Sequence, residues 1–184
     1  QLANGLVYVA SPNSLTGGAF LTAYGLANGV AVWEVFLPPP ATIPLLTVSD
    51  TGVFLSYFNS VSLLSAVTER RDAFTGAFVW QSPIPPEPNR IPLIRGLGIV
   101  HGYLVLVGSS LPESLPLGTE QLVVRVYDEH GTLLLEDKSD QAPVALFFDQ
   151  AILGNRIVGV GRLSGIPSGG AFVRMYELST GVAP

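Results

Sequence analysis

His101 and His130 are the only two histidines in the 184 residues, and there is no cysteine. Without cysteine, disulfides, zinc ribbons, thiol catalysis and iron–sulfur clusters are excluded. A histidine can act as base or ligand, but the sequence holds no His-x-x-x-His pair or comparable ligand cluster. His130 precedes Gly131 in a stretch that reads as a turn, where His, like Asn and Asp, tolerates positive φ. His101 precedes a stretch that reads as a strand, and both histidines are read as structural. Glu136, Asp137 and Asp140 form the densest acidic group. Asp-Lys-Ser-Asp at 137–140 lacks the spaced oxygen ligands and the glycine of a calcium loop, so it reads as solvated. Ser109-Ser110 has no histidine nearby in sequence; a Ser-His-Asp triad assembles in space, and nothing here raises that reading. Gly165 and Gly169-Gly170 do not open a helix, so they fail the context of a phosphate cradle. No catalytic, cofactor-binding or metal-binding residue is therefore assigned, no cofactor is expected, and the chain is expected not to be an enzyme.

With no chemistry to position, the remaining information is architectural. Hydrophobic residues make up 48% of the chain and charged residues 12%, against roughly 25% charged in an ordinary soluble domain. Mean hydropathy is +0.45. No apolar run approaches the ~20 residues that span a bilayer, so no transmembrane segment is expected. The apolar residues fall instead in short runs cut by Gly, Pro and Ser, as in buried strands. Such a surplus points to faces covered by something besides water, another chain or further parts of a longer one. Net charge is −5, and the nine basic residues are dispersed, with Arg70-Arg71 the only adjacent pair and Lys138 the only lysine. That argues against a nucleic-acid-binding face. The chain begins at Gln1 rather than Met, which is read as a removed leader or a fragment; a leader would place the protein in the periplasm or outside the cell.

The pattern repeats. Gly5, Gly52, Gly102 and Gly154 each precede an apolar run and lie 47, 50 and 52 residues apart. Gly29, Gly76, Gly131 and Gly181 follow Asn28, Thr75, His130 and Thr180 and lie 47, 55 and 50 apart. A β-rich unit repeating every ~40–50 residues is the range of propeller blades. Runs such as Leu104-Val105-Leu106-Val107 are apolar on both faces, as in strands packed between sheets. The second set of glycines supplies the positive φ of tight hairpin turns. Pro38-Pro39-Pro40, Pro83 with Pro85-Pro86, and Pro143 follow the strand after each turn, where proline ends and protects an edge. Helix signals are nearly absent.

One frame is more specific. Ala23-x-Gly25-x-x-Asn28-Gly29-x-x-x-Trp33 and Arg70-x-Asp72-x-x-Thr75-Gly76-x-x-x-Trp80 share their spacing. Both resemble the tryptophan-docking motif of quinoprotein-type propellers, Ala-x-Asp-x-x-x-Gly-x-x-x-Trp. The resemblance implies that the tryptophan of one blade stacks on the turn of its neighbour. Gly25 departs from the acidic residue and Arg70 from the alanine. The third copy, with Asp128 and Gly131, is one residue shorter and puts Leu135 near the tryptophan place; the fourth keeps Glu177, Thr180 and Gly181. Enzymes of that family bind pyrroloquinoline quinone at the propeller centre with a metal held by acidic and amide residues, and the sequence offers no counterpart.

The expected fold is all-β: a single repeat domain over 1–184, with units 3–50, 51–96, 97–150 and 151–184, giving three and a half to four four-stranded antiparallel blades. With the innermost strand first, segments near Pro92 to Arg95 and Val144 to Phe148 are innermost. The chain then starts at the second strand of a blade, ends after the third of another, and holds about 14 strands. Edges are expected to be open near Leu6 to Ala10 and Ala171 to Leu178, and exposed edges recruit partners. The ring is completed by a longer chain or by a second copy, or the edges pair head to tail into a filament. The expected function is a non-catalytic, self-associating structural module, extracellular or periplasmic; the alternative is a fragment of a quinoprotein-like enzyme or ligand-binding propeller. An immunoglobulin-like pilin is disfavoured, because that class has about seven strands in ~100 residues.

Overall fold

The turn glycines do what the sequence requires of them: Gly29, Gly76 and Gly131 have φ of 67°, 70° and 83°. The computed structural model describes residues 1–13, 15, 17–38, 44–58, 66–84, 87–112, 121–138, 145–153, 155–163 and 170–177. Fifteen strands make up the regular structure: β1 Leu2–Ala3, β2 Leu6–Asn13, β3 Gly18–Gly25, β4 Ala31–Leu37, β5 Leu45–Val48, β6 Gly52–Phe58, β7 Ala66–Asp72, β8 Phe78–Ile84, β9 Arg90–Val100, β10 Tyr103–Pro112, β11 Gln121–Tyr127, β12 Leu133–Lys138, β13 Ala145–Leu153, β14 Arg156–Leu163 and β15 Gly170–Glu177. No helix occurs among the described residues. Consecutive strands pair antiparallel in three four-stranded sheets, β1-β2-β3-β4, β5-β6-β7-β8 and β9-β10-β11-β12, and one three-stranded sheet, β13-β14-β15.

The central strands are buried on both faces; from Gly52 to Tyr57 every residue of β6 is buried. Strands β4 and β8 lie at the ends of their sheets and alternate between exposed and half-buried residues before a buried final residue, Leu37 or Ile84. The chain divides into two compact units, Gln1–Pro86 and Glu87–Pro184. In the first, Ala19, Leu21 and Ala23 of β3 meet Val53, Leu55 and Tyr57 of β6 in one core. In the second, Val105, Val107, Leu122, Val124 and Val126 form a core with Tyr176 packed on it.

Several boundaries differ from the sequence expectation. The first sheet contains β1, only two residues long, so the described chain has 15 strands rather than about 14. Pairing of Leu2 with Val7 and Ala3 with Leu6, and hydrogen bonds between Gln1 and the Tyr8 backbone, cover the start of β2, so the expected open edge there begins beyond Tyr8. The expected first strands near Pro92 to Arg95 and Val144 to Phe148 run longer, as β9 and β13. The β9–β10 pairing shifts register at Val107/Gly108 of β10, and the β13–β14 pairing at Phe147/Asp149 of β13. β15 ends its sheet, pairing only with β14 among the described residues. The leading glycines are not equivalent: Gly5 and Gly102 have positive φ, whereas Gly52 opens β6 and its N–H bonds the Ser49 hydroxyl. Pro39, Pro40, Pro85, Pro86, Asp140, Pro143, Gly154, Gly165, Gly169, Leu178 and the Thr180-Gly181 turn lie outside the described residues.

A bulge recurs at one place in three sheets. Register shifts fall at Ala23/Tyr24, Arg70/Arg71 and Val126/Tyr127. They leave Val32, Val79 and Leu134 as the extra residues of β4, β8 and β12. The register also puts Leu135 opposite Val126, as Trp33 lies opposite Ala23 and Trp80 opposite Arg70. Leu135 therefore stands in the tryptophan position despite the shorter turn.

Candidate functional site

The first motif tryptophan docks as the resemblance implies. Trp33 Nε1 donates to the Ala73 carbonyl at 3.1 Å, and the Tyr8 hydroxyl donates to the same oxygen at 3.1 Å. A Cβ on Gly76 would lie 2.7 Å from Trp33 Cε3, so only glycine lets the indole lie on this turn. The turn is organised by Asp72, whose Oδ1 accepts from the N–H groups of Phe74 and Thr75 and from the Thr75 hydroxyl. Those bonds, the Thr75 hydroxyl first, hold the Asp72 carboxyl below its usual range. Asp128 does the same for the third turn, accepting from His130 N and Thr132 N, and is likewise lowered, chiefly by the Thr132 N–H. At Gly25, where the motif's acid is missing, Asn28 Oδ1 fills the space a Cβ would take, 2.6 Å away, and accepts from Val30 N.

Three residues before each of these positions stands a buried polar side chain: Thr22, Glu69 and Arg125, 4%, 3% and 4% exposed. Each lies opposite a polar residue of the sheet's last strand: Glu34, Gln81 and Glu136. Thr22 Oγ1 donates to Glu34 at 2.9 Å, and Arg125 Nε pairs with Glu136 at 2.6 Å. The sequence reading missed this series, although its spacing from the motif acid is constant and could have revealed it.

In the third sheet the pair grows into a cluster. Lys138 Nζ reaches Glu136 at 2.8 Å and Glu87 at 3.1 Å, and Arg90 Nε hydrogen-bonds the Ser110 hydroxyl at 2.8 Å. Burial raises the Glu136 carboxyl, but Lys138 and Arg125 outweigh it and hold the group below its usual range. The hydrogen bond to Glu136 raises Lys138. Glu136, read as a loop acid, is thus ion-paired, and the Ser110 hydroxyl is hydrogen-bonded to Arg90, while the buried Ser109 hydroxyl has no hydrogen-bond partner among the described residues.

In the second sheet the same place is open. Tyr57 donates to Glu69 Oε2 at 3.0 Å, Arg71 Nε pairs with Glu69 Oε1 at 2.7 Å, and Arg71 Nη1 donates to the Gly76 carbonyl at 3.2 Å. The Arg71 guanidinium lies 5.9 Å from the centre of the Phe78 ring. Burial, then the Glu69 charge, raises the Tyr57 hydroxyl, so it stays a donor. Tyr57, Glu69, Arg71 and Phe78, with Leu37, Pro38 and Gln81, line a cavity of about 330 Å³ where the end of β4 meets the second sheet.

The two histidines, 29 positions apart, come together in a groove of about 350 Å³ at one end of the third sheet, with Gly102, Tyr103, Asp128 and Glu129. The residue with positive φ is His101, at 50° in the β9–β10 turn, and not His130. His130 instead uses its backbone N–H on Asp128, which holds the turn without left-handed backbone there. No group of three His, Asp or Glu side chains that could hold a metal ion occurs among the described residues. No helix among the described residues is long and apolar enough to cross a membrane.

Exposed apolar residues recur on three of the end strands. Val32 and Phe36 of β4, Phe78 and Val79 of β8, and Leu133, Leu134 and Leu135 of β12 are all exposed. Each of these strands pairs on one side only among the described residues.

No protein-family model matches the chain, and no curated protein matches it. Solved structures do. A quinohemoprotein alcohol dehydrogenase from Pseudomonas putida superposes with a TM-score of 0.59 at 15% identity, over 88% of this chain and 27% of that one. A europium-containing methanol dehydrogenase gives 0.54 at 13%, over 75% of this chain and 24% of that one. An acylaminoacyl peptidase from Pyrococcus horikoshii gives 0.54 at 13%, over 97% and 31%. The chain thus spans 24% to 31% of their lengths, and at this identity the likeness concerns the fold alone. The four antiparallel sheets are blades of the β-propeller type, similar to those of the quinoprotein alcohol dehydrogenases.

Proposed function

We propose that this propeller module is a non-catalytic structural subunit that associates with further copies of itself through its end strands, outside the cytoplasm. The carrying observation is the recurrence of exposed apolar residues on β4, β8 and β12, at the bulge in every case: Val32, Val79 and Leu134. A bulge residue is not needed for the ladder, so exposing a valine or leucine there three times over, where serine or lysine would keep the strand soluble, favours a surface meant to be covered. Unpaired backbone groups along the same strands add a template for strand addition.

Light scattering and negative-stain microscopy of the 184-residue chain over a range of concentrations test this reading. Concentration-dependent rings or filaments are expected. The triple variant Val32→Ser, Val79→Ser, Leu134→Ser should shift the distribution to monomer while changing stability by no more than about 0.5 kcal/mol per site. A stable monomer at all concentrations would sink the proposal. Quinone absorbance or bound metal in the purified protein would replace it with a cofactor enzyme.

A further inference from the structure

The cavity beside Glu69 takes Phe78 and Gln81 from the end strand β8 but none of the bulge residues Val32, Val79 and Leu134 on which self-association is argued. Its equivalent in the third sheet is filled: Lys138, in the register position of Pro83, sends its ammonium to Glu136 and Glu87. In the second sheet Pro83 has no such head group and Gln81 replaces the glutamate, so about 330 Å³ stays open over a carboxylate that is 3% exposed. That volume is at the lower end of ligand pockets, ~300–1,000 Å³.

The wall chemistry selects the ligand. Glu69 and Arg71 neutralise each other 2.7 Å apart, so a free cation meets Arg71 and a free anion meets Glu69. Each Glu69 oxygen accepts one hydrogen bond from the described residues and keeps a further lone pair, while Arg71 Nη2 hydrogen-bonds no described residue. Acceptors and donors therefore lie side by side, the pattern that adjacent hydroxyl groups satisfy, since each hydroxyl both donates and accepts. Gln81 adds an exposed amide opposite Glu69, and Phe78, 56% exposed, offers a ring for an apolar C–H face. We propose that this cavity binds one saccharide ring, as a free sugar or as the end residue of a longer glycan, with vicinal hydroxyls on Glu69 and Arg71 and a C–H face on Phe78.

Saturation-transfer NMR and calorimetry on the 184-residue chain test this, with methyl glucoside, methyl mannoside, methyl galactoside and methyl N-acetylglucosaminide, and with maltose and chitobiose for the longer form. Acetate and methylammonium are the charged controls. At least one sugar should bind saturably, and Phe78→Ala and Gln81→Ala, both at the exposed rim, should each weaken it about tenfold; Glu69→Gln should weaken it by ~10- to 100-fold. If Glu69→Gln fails to fold, by circular dichroism, the two rim variants decide. Tighter binding of a disaccharide than of its methyl glycoside would assign the glycan form. No sugar binding, binding of a charged control alone, or sugar binding that the rim variants leave unchanged would overturn the proposal. None of Val32, Val79 and Leu134 lines the cavity, so sugar binding measured on that triple serine variant is independent of assembly, and the two proposals fail separately.

Discussion

Two donors, the Tyr8 hydroxyl and the Trp33 indole, converge on the one carbonyl of Ala73, so the packing of the first sheet on the second depends closely on a single turn. Gly76 is the residue that cannot change: φ is +70°, and a methyl group would meet the indole at 2.7 Å. Gly76→Ala is expected to cost about 1–3 kcal/mol in urea denaturation. Trp33→Phe loses the indole bond, about 0.5–1.5 kcal/mol, plus packing. Because the two residues touch, the double variant should cost less than the sum, and an additive result would count against direct docking. Trp33 and its landing glycine belong to different copies of one motif, so this contact was legible in the sequence once the motif was recognised. The buried polar series shows in the sequence only as a constant spacing, because Thr22, Glu69 and Arg125 share a position but no residue type.

At the scale of elements, the hairpin turns β7–β8 and β11–β12 are held by carboxylates, and this gives them a pH dependence with a definite sign. Asp72 and Asp128 are both lowered in the folded chain. Their contribution is therefore complete above the unfolded carboxyl value of ~3.9 and is lost as pH falls through the lower folded values. Stability of the parent chain is expected to drop on acidification below about pH 4, more steeply than that of Asp72→Asn combined with Asp128→Asn. Equal slopes in thermal melts across that range would show that the two carboxylates carry no stabilising charge. Turns of this kind are readable from sequence because donor and acceptor lie within four positions of each other. The bulges are not, since a bulge is defined only by what the partner strand does opposite it.

At the scale of the molecule, each compact unit has its own buried core. Both tryptophans, Trp33 and Trp80, lie in the unit Gln1–Pro86. Tryptophan fluorescence therefore reports on that unit, and far-UV circular dichroism on all the sheets. The two guanidinium transitions are expected not to coincide; coincident transitions would mean that the units unfold as one.

The sequence by itself determined most of the strands, the turn positions and the blade-like repeat, and the resemblance to the docking motif implied that a tryptophan lands on a neighbouring turn. Alternation, turn glycines and a spaced motif are local signals, and their physics operates within about ten residues. The sequence reading placed β9 and β13 too short and overlooked β1, because the first strand of each sheet has no motif of its own. Only the tertiary structure decided which polar groups meet. Tyr57 reaches Glu69 across 12 positions and Lys138 reaches Glu87 across 51, because strand register brings them together. The same register leaves an open, hydrogen-bonding cavity in the second sheet where the third is closed by a lysine. Neither fact has a local sequence signal, since each depends on which side chains share one face of a sheet.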